Sequence, residues 1–162
     1  MQSITMISRL AILLILSLFP RTLPAQTASI DGIWLSEGYG LVFEIQGDRL
    51  SQWQVTSISC IPAMAFQRLN KSDNTFASAD GRSKLQIRPG GSADLLRLHF
   101  EYSAAEVILH RTAARPAQCS KATENTSEMN FEIFWRTFAE QYPFFGLHGV
   151  DWNASYQNYR RR

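Results

Sequence analysis

The sequence Leu41-Val-Phe-Glu-Ile45 leads through Gln46-Gly47-Asp48 into Leu50-Ser-Gln-Trp-Gln-Val55. The second run alternates apolar and polar residues, which is typical of a strand with one buried face. Gly and Asp between two such runs favour the tight turn of a β-hairpin. The segment therefore predicts two antiparallel strands.

The same pattern continues on both sides of this hairpin, from Ile30 to Arg111. Turns rich in Gly, Pro, Asn, Asp and Ser separate the runs, and no helical pattern lies between them. Successive runs are spaced about ten residues apart, which indicates an antiparallel meander, either an open sheet or a small barrel. We assign it to residues 26–112. Further strands are expected at Ala63–Arg68, Thr75–Ala79, Lys84–Arg88, Leu95–Tyr102 and Glu106–Arg111.

Beyond a polar connector at residues 113–129, the segment 130–162 has a different character. It holds ten of the nineteen aromatic residues of the chain, and the first five recur at helical spacing. Asn130 is a candidate N-cap, Pro143 would end this helix, and Asp151 can cap a second helix. The predicted fold class is therefore α+β, with an aromatic-rich helical hairpin after the meander. The ten residues are Phe131, Phe134, Trp135, Phe138, Tyr142, Phe144, Phe145, Trp152, Tyr156 and Tyr159.

These ten side chains carry more apolar surface than two short helices can bury against each other. Each large aromatic side chain buries about 150–250 Å² when it is covered. We therefore expect them to pack on the strand region, on a partner, or on polypeptide that this sequence does not contain.

The N-terminal residues 1–25 have the three-part pattern of a secretory signal peptide. Arg9 precedes the uncharged run Leu10–Phe19, and Pro24-Ala25 supplies a small residue at the expected cleavage site. As a helix this run would reach about 15 Å, half the ~30 Å hydrocarbon thickness of a bilayer. We expect cleavage, no transmembrane anchor in the mature chain, and export to a bacterial periplasm or the extracellular medium.

Cys60 and Cys119 are the only cysteines, and export favours a disulfide between them. In the chain-entropy model, a bridge that closes the loop between these two cysteines stabilises the folded chain by about 4 kcal/mol. Two buried free thiols are the alternative. Neither cysteine has a neighbouring His, which argues against a catalytic role.

The charge balance gives no reason to expect a nucleic-acid partner. Removal of residues 1–25 would leave fourteen basic and fourteen acidic residues. His99 and Glu101 lie on one face of a predicted strand, but a metal site needs three or four ligands, and His110 and His148 add no recognisable spacing. Gly38-Tyr39-Gly40 lacks the third glycine of a dinucleotide loop and predicts a tight turn. No cofactor or metal site is expected.

The segments Asn130–Phe145, Gly149-Val-Asp-Trp152 and Tyr156-Gln-Asn-Tyr-Arg160 resemble the region before the catalytic part of the tail-specific, or C-terminal-processing, serine peptidases. The resemblance is strongest to exported bacterial members with a tricorn-type protease core. Three further segments are similar to a β-rich leader in some members: Asp31-Gly-Ile-Trp34, Glu37-Gly-Tyr-Gly40 and Thr56-Ser-Ile-Ser-Cys60.

The resemblance implies a serine peptidase whose nucleophile, Lys or His base and PDZ-type module lie further downstream, so no catalytic residue can be assigned here. Ser57 and Ser59 lack the sequence context of a nucleophile, and Lys71, Lys84 and Lys121 lie in polar surroundings. We expect a non-catalytic N-terminal portion, from a truncated gene, a split reading frame or an incomplete sequence. Its expected partner is a downstream protease core or another polypeptide. The alternatives are a stand-alone secreted β module that binds an apolar ligand or an envelope protein, and an independent hydrolase.

Overall fold

The hairpin predicted at residues 41–55 is present as the second and third strands of the protein. A computed structural model describes residues 29–160, so the predicted signal peptide at residues 1–25 lies outside the described residues. The strands are β1 (Gly32–Ser36), β2 (Leu41–Gln46), β3 (Arg49–Val55), β4 (Cys60–Asn70), β5 (Thr75–Ser78), β6 (Lys84–Pro89), β7 (Leu95–Phe100) and β8 (Glu106–Thr112). A connector with a 3-10 helix at Ala117–Ser120 leads to α1 (Ser127–Gln141) and α2 (Trp152–Arg160).

The eight strands form a closed antiparallel barrel in which each strand pairs with the next. Closure comes from β1 and β8, where Ile33 pairs with Thr112 and Ser36 pairs with Leu109. Of the two predicted forms of the meander, the closed barrel is therefore the one observed. Closure leaves no strand edge unpaired in the sheet, which removes a common route to aggregation.

Large apolar side chains fill the barrel interior. They follow the two-residue period of the strands, so that Phe43 and Ile45 of β2 point inward on either side of Glu44. Eleven of these side chains are at most 4% exposed: Trp34, Phe43, Ile45, Leu50, Phe66, Phe76, Leu85, Ile87, Leu96, Leu98 and Leu109. The interior is thus a packed core, which gives no support to the alternative of an apolar ligand held inside the barrel.

Residues 29–31 pack against the barrel. Ile30 is buried in the core, and its carbonyl accepts a hydrogen bond of 2.9 Å from Nε1 of Trp34. The Arg111 guanidinium lies 4.2 Å from the centre of a Trp34 ring and donates to the carbonyls of Ser29 and Asp31. The first strand after this segment, β1, was not among the predicted strands.

The first helix starts earlier than the sequence suggested. Thr126, and not Asn130, is its N-cap, because Oγ1 of Thr126 accepts a hydrogen bond of 3.1 Å from the Met129 amide. The helix ends at Gln141, shortly before Pro143, as predicted. Asp151 caps α2 as predicted, with Oδ1 accepting from the Ala154 amide at 2.8 Å. No helix within residues 29–160 is long and apolar enough to cross a membrane.

Candidate interaction surface

The ten aromatic side chains of the helical hairpin form one continuous network of ring contacts. At its centre, the Trp152 ring lies between two other rings in stacked arrangements. Its centroid is 4.1 Å from that of Trp135 and 4.5 Å from that of Phe145, with 17° between the planes in both pairs. Offset stacking of this kind adds about 0.5–1.5 kcal/mol per pair beyond the area that is buried.

Polar bonds join α1 to α2 beside these rings. Nε1 of Trp152 donates to the Trp135 carbonyl at 3.1 Å. The Tyr156 hydroxyl donates to the Glu132 carboxylate at 2.8 and 3.0 Å, and Nε of Arg160 lies 3.1 Å from the same carboxylate. The hydrogen bond to Glu132 raises the pKa of Tyr156, because it stabilises the protonated phenol. Glu132 thus links the two helices.

The loop between the helices is held by backbone hydrogen bonds and by two of the aromatic rings. The Val150 amide donates to the Phe145 carbonyl at 2.9 Å, and the His148 amide donates to the Phe144 carbonyl at 3.1 Å. The Tyr142 ring is 4.8 Å from that of Phe145 in an edge-on contact. The loop therefore positions the Phe145 ring so that it stacks on Trp152.

Four rings of the network form an exposed row along one side of the hairpin. Phe134 and Phe144 at its ends are 51% and 50% exposed, and Phe138 and Tyr142 between them are 39% and 37% exposed. Consecutive ring centroids along the row are 5.0, 6.4 and 5.6 Å apart. We call these four residues the aromatic row. Contiguous exposed apolar surface of this kind marks interaction sites in soluble proteins.

The expected interface residues divide into two groups in the structure. Trp135 is buried, and Phe131, Phe145, Trp152 and Tyr156 are half-buried between the helices. The aromatic row is exposed, together with Tyr159, Leu147 and Val150. The two helices thus cover about half of the ten rings and leave the rest on the surface.

The end of α1 contacts the barrel through two glutamines. Nε2 of Gln54 donates to Oε1 of Gln141 at 2.8 Å, and Nε2 of Gln141 donates to the Val55 carbonyl at 3.2 Å. Gly40 lies directly below Gln141 with a φ of +58°, and a Cβ atom there would overlap Gln141 and the Val55 carbonyl. The tight turn predicted at Gly38-Tyr39-Gly40 is therefore confirmed, and its third residue makes room for the helix.

A neighbouring loop binds both α1 and the connector. The Ser57 amide donates to the Glu140 carboxylate at 3.2 and 3.0 Å, and the Ser57 carbonyl accepts from the Gln118 side chain at 3.1 Å. Ile133 of α1 is buried and lines a groove of about 570 Å³ together with Trp53 and Ile61. Sequence reasoning missed these contacts, since single polar residues in loops and one aliphatic residue in an aromatic helix give no periodic signal.

The residues considered for catalysis do not come together. The Ser59 hydroxyl is buried and lies 2.7 Å from that of Thr56, while Lys71 and Lys84 pair with Asp48 and Glu101. Within residues 29–160, no serine is hydrogen-bonded to a lysine or histidine, and no group of three or more His, Cys, Asp or Glu side chains could hold a metal ion.

A family model of the tricorn protease C1 domain matches residues 123–162. The helical segment is similar to that domain. The match begins at Thr123 and contains both helices and all four residues of the aromatic row, whereas the barrel lies outside it. No curated protein and no solved structure matches the chain. The chain is thus related to tricorn-type proteases through its helical segment.

Proposed function

We propose that this chain is a non-catalytic leader region of an exported serine peptidase of the tail-specific, or C-terminal-processing, family. In this proposal proteolysis belongs to a protease core encoded downstream, and the aromatic row packs against that core. The observation that carries the proposal is the exposed row of four rings on the segment similar to the tricorn protease C1 domain.

The energetics of the aromatic row support a protein partner. Covering four rings that are roughly half exposed would remove on the order of 300–400 Å² of apolar surface from water, or about 8–10 kcal/mol of gross stabilisation. The entropic cost of association reduces this gain. That cost is much smaller when the partner and the aromatic row belong to one chain.

Export and a bacterial periplasmic or extracellular location belong to the same proposal. The Cys60–Cys119 disulfide supports it, because such bonds form and persist in oxidising compartments. The signal-peptide pattern of residues 1–25 supports it independently.

The test begins with the DNA beyond the codon for Arg162. We expect a reading frame that encodes a PDZ-like module and a serine protease core with a Lys or His base. The second step is to produce that core separately and to measure its binding to this chain by calorimetry. Phe134→Ser combined with Phe144→Ser should abolish binding, whereas Tyr102→Ser, which removes an exposed ring from the barrel, should not. Unrelated downstream DNA, or a core that binds the double variant as tightly as the parent chain, would overturn the proposal.

A further inference from the structure

The loop between β3 and β4 is where the barrel, the connector and the helical segment are joined. Cys60, at the end of this loop, forms the disulfide with Cys119 of the connector. Thr123 then bonds to both backbone groups of Cys60, since its Oγ1 accepts from the amide at 3.1 Å and donates to the carbonyl at 3.2 Å. Ser57 of the same loop binds Gln118 and Glu140. Loop 56–60 therefore contacts both the connector and the C-terminal part of α1.

The other bonds between connector and barrel are single and exposed. Arg115 lies 3.8 Å from the Glu44 carboxylate and 4.8 Å from the centre of a Trp53 ring, and Gln118 makes one hydrogen bond to loop 56–60. Exposed ion pairs and hydrogen bonds of this kind contribute little on their own. Among the described residues, the disulfide is thus the one covalent tie between the connector and the barrel.

From this arrangement we propose that the Cys60–Cys119 disulfide is a redox-sensitive attachment, which fixes the helical segment against the barrel and releases it on reduction. The barrel closes through its own strand pairing, and the hairpin is held by its own ring network, so neither needs the disulfide for its internal contacts. Reduction would therefore change the position of the aromatic row relative to the barrel, while the barrel and the hairpin both remain folded. The inference does not depend on the identity of the partner.

The disulfide borders a groove in the protein surface, where Cys119 is half-buried. Both cysteines line the 570 Å³ groove between the connector, β4 and α1, although Cys60 itself is buried. A dithiol such as dithiothreitol transfers two electrons and two protons to the Sγ–Sγ bond, which gives two thiols, and is itself oxidised to its cyclic disulfide.

The test is hydrogen exchange on the folded chain, purified in its oxidised form and then treated with dithiothreitol. We expect amide exchange in residues 113–126 and at Ser57 to become faster by roughly tenfold or more, while exchange in β2 and in the middle of α1 stays slow. Trypsin should then cleave faster after Lys121 of the connector. Unchanged exchange in the connector, or loss of protection throughout the barrel, would overturn the proposal.

Two variants separate the disulfide from the other contacts. The double variant Cys60→Ser with Cys119→Ser should show the fast connector exchange without reductant, and dithiothreitol should then have no further effect. Gln141→Ala removes the side-chain bonds to Gln54 and Val55 but keeps the disulfide, so its oxidised form should retain slow exchange in the connector. Fast connector exchange in oxidised Gln141→Ala would assign the attachment to the glutamine pair and contradict the proposal.

Discussion

Trp152 of α2 stacks on Trp135 of α1 with ring centroids 4.1 Å apart, and Nε1 of Trp152 donates to the carbonyl of the same residue at 3.1 Å. A single side chain thus supplies both a ring contact and a hydrogen bond between the helices. Because Phe145 stacks on its other face, Trp152 is the residue on which the hairpin depends most.

Substitution of Trp152 by Ala should unfold the hairpin while the barrel persists. We expect a loss of roughly 2–3 kcal/mol, somewhat below the value for a fully buried tryptophan, since this ring is half-buried. The measurement is circular dichroism, in which two stacked indoles give an exciton couplet that the variant should lose. Trp53→Phe removes a tryptophan from the barrel and should leave the couplet intact. A couplet that survives in Trp152→Ala would contradict the stack.

The Tyr156–Glu132 hydrogen bond should make the hairpin sensitive to alkaline pH. The folded hairpin keeps the phenol protonated at pH values where the unfolded chain loses its proton, because the bond raises the pKa of Tyr156. The stabilisation is therefore complete below about pH 10 and is lost as the pH rises through the raised pKa.

Urea unfolding of the hairpin, followed by tryptophan fluorescence at several pH values, measures this effect. Tyr156→Phe should be less stable than the parent chain at neutral pH and should lose less stability on the way to high pH. Tyr142→Phe keeps the bond to Glu132 and should follow the parent chain. Identical pH profiles for the parent and Tyr156→Phe would show that the bond makes no contribution.

The local part of the fold could be predicted from the sequence, because it depends on residues close together in the chain. The two-residue period marked seven of the eight strands, and the ring spacing and Asp151 marked the two helices. Asn130 and Thr126 are both of a capping residue type. Thr126 forms the cap because its hydroxyl reaches the Met129 amide, which adds a turn before the first ring.

Closure of the barrel and the division of the rings could not be predicted, because they depend on contacts across long stretches of chain. Pairing of Ser36 with Leu109 decides between a barrel and an open sheet, and no local pattern encodes it. Which rings remain exposed depends on how α2 lies on α1. Gln54 and Gln141 meet across 87 residues, and an isolated glutamine gives no signal of its partner.

Gly40 should tolerate a side chain much less well than its neighbour Gly38. Both have positive φ, +58° and +71°, so alanine at either position costs about 1–2 kcal/mol of backbone strain. At Gly38 nothing lies within 4 Å of the added Cβ atom, whereas at Gly40 the atom would overlap Gln141 and the Val55 carbonyl. Gly40→Ala should therefore also break the contact between α1 and the barrel.

Thermal unfolding and hydrogen exchange at Val55 and Ser57 distinguish these two costs. We expect Gly38→Ala to lower the melting temperature slightly and to leave exchange in loop 56–60 unchanged. Gly40→Ala should lower it further and speed exchange at Ser57, whose amide bonds to Glu140 beside the displaced Gln141. Equal effects of the two substitutions would show that the helix does not rest on Gly40.

The aromatic row should make the isolated chain bind hydrophobic dyes. Phe134 and Phe144 are each about half exposed at the two ends of the row, so replacing both by Ser removes apolar surface at little cost to the fold. We expect anilinonaphthalene sulfonate to bind the parent chain and to bind this double variant several-fold more weakly, with the Trp135–Trp152 couplet retained in both. Tyr102→Ser removes a ring that is 86% exposed on the barrel and should leave dye binding unchanged, because an isolated ring offers no contiguous patch. Equal binding by the parent and the double variant would mean that the aromatic row does not bind apolar molecules in solution. The proposed packing on a protease core would then lose its main physical support.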